Sequence, residues 1–460
     1  MIRWDAARVA AAAGARLIGG ETQGGPARAT IDSRAVRPGE LFVGLPGANV
    51  DGGRFADQAL ASGAWGVLVA PGHVAPAGRG AVLEHPDPLA GLQALARAWR
   101  RELGAKVVGI TGSTGKTSTK DILAALLAKD LRTVASPANL NTEIGLPLAV
   151  LDAPAGTEAL VLEMAMRGPG QIRELAMIAE PDVGVIVNVG PVHLELLGSV
   201  EAIAAAKAEL IAALGPGASA VVPADEPLLR PYLRSELRTI TFGQGGDVEL
   251  ADRSDDGEVV IRDRTGPGDN GLIRLRPSFA QSHNLRNLLA AVAAARALGL
   301  TPAGTLEVTF SALRGERIAL GEEIVLINDC YNANPMSMRA ALHDLAQTAP
   351  GRRVAVLGDM LELGEQERAM HRELAAVAER AGVELLIAVG PLARETARAF
   401  AGEAHAVADA TAAAELLPGV LRPCDTVLVK GSRGVGLELV SQTLADARGR
   451  RPATDAGGAR

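Results

Sequence analysis

The side chains best suited to chemistry lie in 107–121, VVGITGSTGKTSTKD. An apolar run at 106–110 enters a turn of glycines and hydroxyls, and a helical pattern over 117–129 leaves it. Gly112 and Gly115 allow backbone N–H groups to close around phosphate oxygens, Lys116 adds a point charge, and Thr117 offers a hydroxyl to a magnesium ion. The first glycine of the longer G-x-x-x-x-G-K-[ST] pattern falls at Ile110, so the motif is the shorter G-x-x-G-K-T. In its strand–turn–helix setting this spacing predicts an ATP-type phosphate site.

Further polar groups follow other apolar runs, where open parallel sheets collect their ligands. Glu163 ends ALVLEM, and His193 lies in NVGPVHLELLGS. Together with Thr117 they make a hydroxyl, a carboxylate and an imidazole that can hold Mg²⁺ beside phosphates. Lys207, in EAIAAAKAELIAAL, reads by itself as a solvated lysine on an amphipathic helix. In SHNLRN, Asn284 and Asn287 can read a base edge or cap a helix. NDCYNANPMS packs Asp329, Tyr331, Asn332 and Asn334 close together, denser in polar groups than an inert loop requires. Lys430 and Arg433 in KGSR suit a carboxylate or phosphate.

These groups need a scaffold, and 460 residues exceed a single core. A first unit, 1–84, contains strand-like runs at 40–45 and 65–70 with a helical segment, 55–62, between them. Pro86-Asp87-Pro88 opens a connector helix over 89–103. The second unit, 85–311, includes that connector and alternates runs at 106–110, 159–164, 183–189 and 218–222 with helices, the signature of a parallel sheet. An antiparallel excursion is expected over 247–276, then a helix over 283–298. The third unit, 312–448, carries runs at 324–328, 353–357, 385–389 and 426–429 and predicts a second, Rossmann-like sheet. The predicted class is therefore α/β in three domains, with a disordered tail over 449–460.

Composition narrows the function. A net charge of −7 and 2% aromatic residues exclude a mainly electrostatic nucleic-acid binder and a base-stacking platform. Cys330 and Cys424 belong to no metal-like cluster and read as small buried side chains. The start, MIRWDAARVAAAAGARL, reads as an amphipathic helix rather than a signal peptide, and no apolar run reaches the roughly 18 residues of a membrane span. A cytosolic monomer without membrane insertion is expected.

TGSTGKTSTKD, NLNTEIG (139–145), HLELLGS (193–199), HNLRN (283–287), YNANP (331–335), GDMLELG (358–364) and KGSR (430–433) occur in one order. This set resembles the ATP-dependent Mur ligases of peptidoglycan synthesis, and within them the branch that adds D-alanyl-D-alanine. IDSR (31–34) and 39–52 resemble that family's UDP-sugar domain. The resemblance implies a UDP-sugar-binding domain, a central P-loop ATPase domain and a C-terminal Rossmann-like ligase domain. It implies ATP and Mg²⁺ as cofactors, UDP-N-acetylmuramoyl-tripeptide and D-alanyl-D-alanine as substrates, and an acyl-phosphate intermediate. Gly112, Ser113, Thr114, Gly115, Lys116, Thr117, Ser118, Asn284, Asn287, Arg314 and Asp329 would then bind ATP, with Arg317 the alternative to Arg314 because Leu313 stands where the family has glycine. Thr117, Glu163, His193 and Lys207 would hold metal, Lys207 as a carbamate, and Lys116, Glu163, His193 and Lys207 would form the catalytic set. Ser33, Arg34, Asn139, Asn141, Thr142, Tyr331, Asn332, Asn334, Lys430 and Arg433 would bind substrates. The alternatives are another amide-forming ligase of the superfamily and a non-catalytic nucleotide-binding regulator.

Overall fold

Asp87 and Pro88 start the connector helix, Pro88–Leu103, as their types require. The Asp87 carboxylate accepts from the N–H groups of Leu89 and Ala90, Pro88 fills the first turn, and Gly104 ends the helix in the left-handed region. Its apolar stripe, Leu92, Leu95, Ala96 and Trp99, faces inward. Trp99 meets Trp4 edge to face at 5.6 Å, and its indole N–H donates to the carbonyl of Ala153. The computed structural model describes residues 4–20, 24–73, 80–137, 139–266 and 271–449, and all elements given are those of the described residues. Apart from Gly449, the tail expected to be disordered lies outside them.

Three sheets follow one another. The first runs Arg16–Gly19, Ala81–Glu84, Gly66–Val69, Leu41–Val43, Ala29–Thr30, parallel except for its first pair. The second has ten strands. Its parallel core runs Arg238–Phe242, Ser219–Pro223, Val183–Ile186, Lys106–Thr111, Ala159–Glu163, Thr133–Ala135. The expected antiparallel excursion is the meander Val248–Arg253, Val259–Asp263, Gly271–Pro277. The third sheet runs Glu316–Ala319, Val325–Asn328, Thr426–Lys430, Arg353–Gly358, Leu385–Val389, Glu403–Val407, parallel after an antiparallel first pair. The predicted three-part α/β class is the observed one.

Some expectations need correction. The strand expected over 183–189 stops at Ile186, because the next residues leave the ladder to brace the phosphate turn. The N-terminal stretch folds as a short helix, Ala6–Ala13, and then a strand. Cys330 is buried, but Cys424 is exposed, in a turn at φ 67°.

The cores divide unevenly. The connector helix joins one face of the first sheet to one face of the second in a continuous apolar cluster that includes Trp4, Leu68, Leu95, Leu160 and Ile203. The two faces of the third sheet form clusters of their own. The third domain therefore meets the rest through loops and not through a shared core.

Candidate active site

Thr111, Glu163 and Ile186 end three adjacent parallel strands, so the loops after them converge on one edge. The phosphate turn is braced from the neighbouring strand's loop. Asn188 Oδ1 accepts from the N–H groups of Ser113 (3.1 Å) and Thr114 (2.9 Å), and its amide donates back to Thr114. The Ser113 hydroxyl bridges to Gly190. The amides of Ser113 and Thr114 are thus engaged within the protein. The first-turn N–H groups of the helix Lys116–Leu127, those of Lys116, Thr117 and Ser118, are the ones offered to an anion. Gly115 cannot be replaced cheaply: its φ is +75°, and a Cβ there would lie 2.5 Å from Asn287 Oδ1.

Lys116 Nζ donates to the carbonyl of Gly112 at 2.9 Å. Burial pulls its pKa down; Glu163 opposes this and Arg314 adds to it. Glu163 is 2% exposed and holds two partners, the Thr117 hydroxyl at 2.8 Å and the Asn141 amide at 2.9 Å. Lys207, expected to be solvated, is instead 2% exposed on Val200–Ala213. Its pKa is lowered well below the ordinary lysine value, first by burial and then by Lys116, and among the described residues no anion offsets these effects. Among the described residues no three His, Cys, Asp or Glu side chains cluster. A hydroxyl and a carboxylate 2.8 Å apart beside a phosphate turn still suit Mg²⁺, which keeps waters and takes phosphate oxygens as ligands.

The third domain reaches this edge. Arg314 stacks on the Tyr331 ring at 3.9 Å, with Arg433 over the same ring at 5.8 Å. Arg317 is committed elsewhere, to Asp344 and Thr348, so Arg314 is the arginine whose charge bears on Lys116. Leu313 adopts φ 62°, the left-handed conformation that glycine takes most easily. His193 faces Glu362 of the GDMLELG loop. Burial lowers the His193 pKa, and Glu362 partly offsets this.

Profiles of three families match the chain: Mur ligase family, catalytic domain, over 28–100; Mur ligase middle domain, over 110–295; and Mur ligase, glutamate ligase domain, over 313–433. UDP-N-acetylmuramoyl-tripeptide–D-alanyl-D-alanine ligase of Bacillus subtilis (strain 168) is 36% identical over 426 residues, covering 90% of this chain and 92% of the relative. The chain belongs to the Mur ligase family. Among solved structures, this Mur ligase is similar to MurF from Acinetobacter baumannii (TM-score 0.84, 27% identity, 96% of this chain and 99% of that one). It is also similar to MurF from Thermotoga maritima in complex with ADP (TM-score 0.78, 31% identity, 91% and 97%).

In this Mur ligase the remaining expected residues fall into two groups. Asn284 and Asn287 are buried within the helix Ser282–Ala297, whose cap is Gln281, so they are not capping groups. They bond each other at 3.3 Å beside Gly115. Other expected residues are already engaged. Asn334 caps the helix Pro335–Thr348 through Ser337, so its amide oxygen is not offered to a substrate. Lys430, 2% exposed, donates to Asp329 Oδ2 at 2.7 Å and to the carbonyl of Asn332 at 3.0 Å, which orders that loop and does not present a cation to solvent. Asn332 Oδ1 accepts from Ala333 N–H. Thr142 Oγ1 accepts from Gly145 N–H, and Asn139 lies in the turn before Asn141. Ser33 and Arg34 sit in the first domain, with Arg34 paired to Asp32 at 2.9 Å. Sequence reasoning missed Asn188, Glu362 and the buried Lys120, whose ammonium bonds the Ser136 carbonyl and Asp121. For Asn188 the signal was its place immediately after the strand; for Lys120 nothing marked a buried lysine.

Proposed function

We infer that this Mur ligase uses ATP to join D-alanyl-D-alanine to UDP-N-acetylmuramoyl-tripeptide in peptidoglycan precursor synthesis. The observation that carries this reading is a relative of that name matched over 90% of the chain. The γ-phosphoryl group passes to the terminal carboxylate of the tripeptide. The dipeptide amine then attacks the acyl phosphate, and the tetrahedral intermediate collapses to amide and phosphate. Lys116 and Arg314 spread the charge of the transferring group from opposite domains. Asn141 orients Glu163, and Glu163 with the Thr117 hydroxyl would hold Mg²⁺, which when bound neutralises phosphate charge. Asn284 and Asn287 face adenine, and Asp329, fixed by Lys430, meets the ribose. Ser33 and Arg34 serve the UDP end. Arg433 and the Asn332 amide group take the dipeptide, Arg433 at its carboxylate.

Lys207 fits this reading as a carbamate. Its lowered pKa supports the neutral amine, which adds to CO₂ by forming an N–C bond and releasing a proton. The product places an anion near Lys116, where burial and Lys116 disfavour the ammonium form, and would supply oxygen ligands for metal beside His193. The reaction as a whole is tested by competition on UDP-N-acetylmuramoyl-tripeptide between D-alanyl-D-alanine, D-alanine and L-amino acids, scored by product mass. A dipeptide preference of at least about a hundredfold in kcat/KM is expected, because a site that pairs a peptide group rejects an analogue lacking it. Equal incorporation of a single amino acid would move the chain to another branch of the family.

A further inference from the structure

A helix start and a loop of the third domain grip one segment of the central domain. Met336 packs on Gly190 so closely that a Cβ there would fall 1.9 Å from its sulfur. Three residues along, the Glu362 carboxylate meets His193 Nδ1, and Arg167 lies 3.5 Å from the same carboxylate. The backbone takes part too: Glu195 N–H donates to the Glu362 carbonyl, and a Cβ on Gly364 would lie 3.4 Å from Glu195.

Both members of the side-chain pair are conformationally costly. His193 has φ 55° and Glu362 has φ 63°, left-handed values that glycine adopts without penalty. Non-glycine residues held there carry a backbone cost that the surrounding structure must overcome, and they cluster at functional sites. The Glu362 loop is also firmly anchored. Asp359 accepts from the N–H groups of Leu392 and Ala393, Met360 N–H donates to His371 Nε2, and Leu361 N–H donates to the Ser432 hydroxyl.

We propose that Glu362 is a positioning residue supplied across the domain interface, which accepts a hydrogen bond from Nδ1–H of His193 and leaves Nε2 as the free ligand nitrogen. A carboxylate accepts only, so the proton of a neutral ring must sit on Nδ1. Metal-binding histidines are commonly oriented by such a carboxylate. Here the carboxylate belongs to a domain with its own separate core, so the histidine is set only when that domain is docked. Site assembly and domain closure become one event.

This inference rests on the reading of His193 as a metal ligand, and the test separates the two. Mn²⁺ binding to the full chain, saturated with a non-hydrolysable ATP analogue and bicarbonate, is titrated by electron paramagnetic resonance for the unaltered protein, Glu362→Gln and Glu362→Ala. Two Mn²⁺ ions are expected in the unaltered protein. In both variants the first should bind unchanged, which shows an intact central domain, and the second should weaken at least about tenfold. Two ions bound with unaltered affinities in both variants would overturn the role of Glu362 alone. A single ion in the unaltered protein would remove the metal reading of His193 and this inference with it.

Discussion

Lys207 and Lys116 are the two lysines on which the site turns, and their environments predict different responses to removal. Lys207→Ala should abolish ligation and regain part of it when acetate or another short carboxylate is added, because the missing group on this reading is an anion. Lys116→Ala should lose about 3 kcal/mol or more of transition-state stabilisation and gain nothing from carboxylates. Phosphate release measured across an acetate titration distinguishes them; full activity of Lys207→Ala without acetate would refute the carbamate. Lys116 was legible from its place in G-x-x-G-K-T. The burial of Lys207 was not, since a lysine in an alanine-rich helix looks solvated until the helix is seen packed on the sheet.

At the level of elements, the loop that carries Glu362 hangs on a buried histidine. His371 Nδ1–H donates to the Glu367 carbonyl, so Nε2 is the acceptor for Met360 N–H, and only the neutral ring can serve both. Burial holds its pKa below the ordinary value near 6.5. The unfolded chain therefore binds this proton more readily. The stabilisation is complete above about pH 6.5 and is lost as pH falls toward the folded-state pKa, at no more than about 1.4 kcal/mol per pH unit. Denaturant midpoints between pH 8 and pH 5 should fall less steeply for His371→Gln than for the unaltered protein; identical slopes would contradict the assignment. The GDMLELG motif was visible in the sequence as a family resemblance. Its anchor was not, because His371 lies on the following helix and nothing in its spacing ties it to Met360. The short strands Ala29–Thr30, Thr133–Ala135, Glu316–Ala319 and Glu403–Val407 were similarly silent. Two of them, Ala29–Thr30 and Thr133–Ala135, are only two and three residues long, too short for an alternating pattern to register.

On the scale of the whole molecule, one continuous core binds the first two domains, while the third has cores of its own. Its seat against Gly190 is a point of leverage. Gly190→Val should displace Met336, hold the third domain back and reduce kcat about tenfold or more, as small misplacements of reacting groups do. Binding of the UDP substrate to the first domain should change little. Met336→Ala introduced into that variant should restore much of the rate by vacating the space, a coupling read from the four-way comparison of single and double variants. Independent effects would mean that the two residues do not communicate. Three-domain order and the parallel sheets followed from alternating runs and turn residues. The contact between domains did not, since Gly190 and Met336 carry no pattern that links them across about 150 intervening positions.

The pairing of Trp4 with Trp99 has a practical consequence for optical work. The chain has three tryptophans, and all lie before residue 100. Trp65, whose indole N–H reaches the carbonyl of Gly24, completes the set. Tryptophan emission, excited apart from Tyr232 and Tyr331, therefore reports melting of the amino-terminal region and its connector, and is dark to movements of the carboxy-terminal third. An indole introduced on that third would be a reporter without interference from its own surroundings.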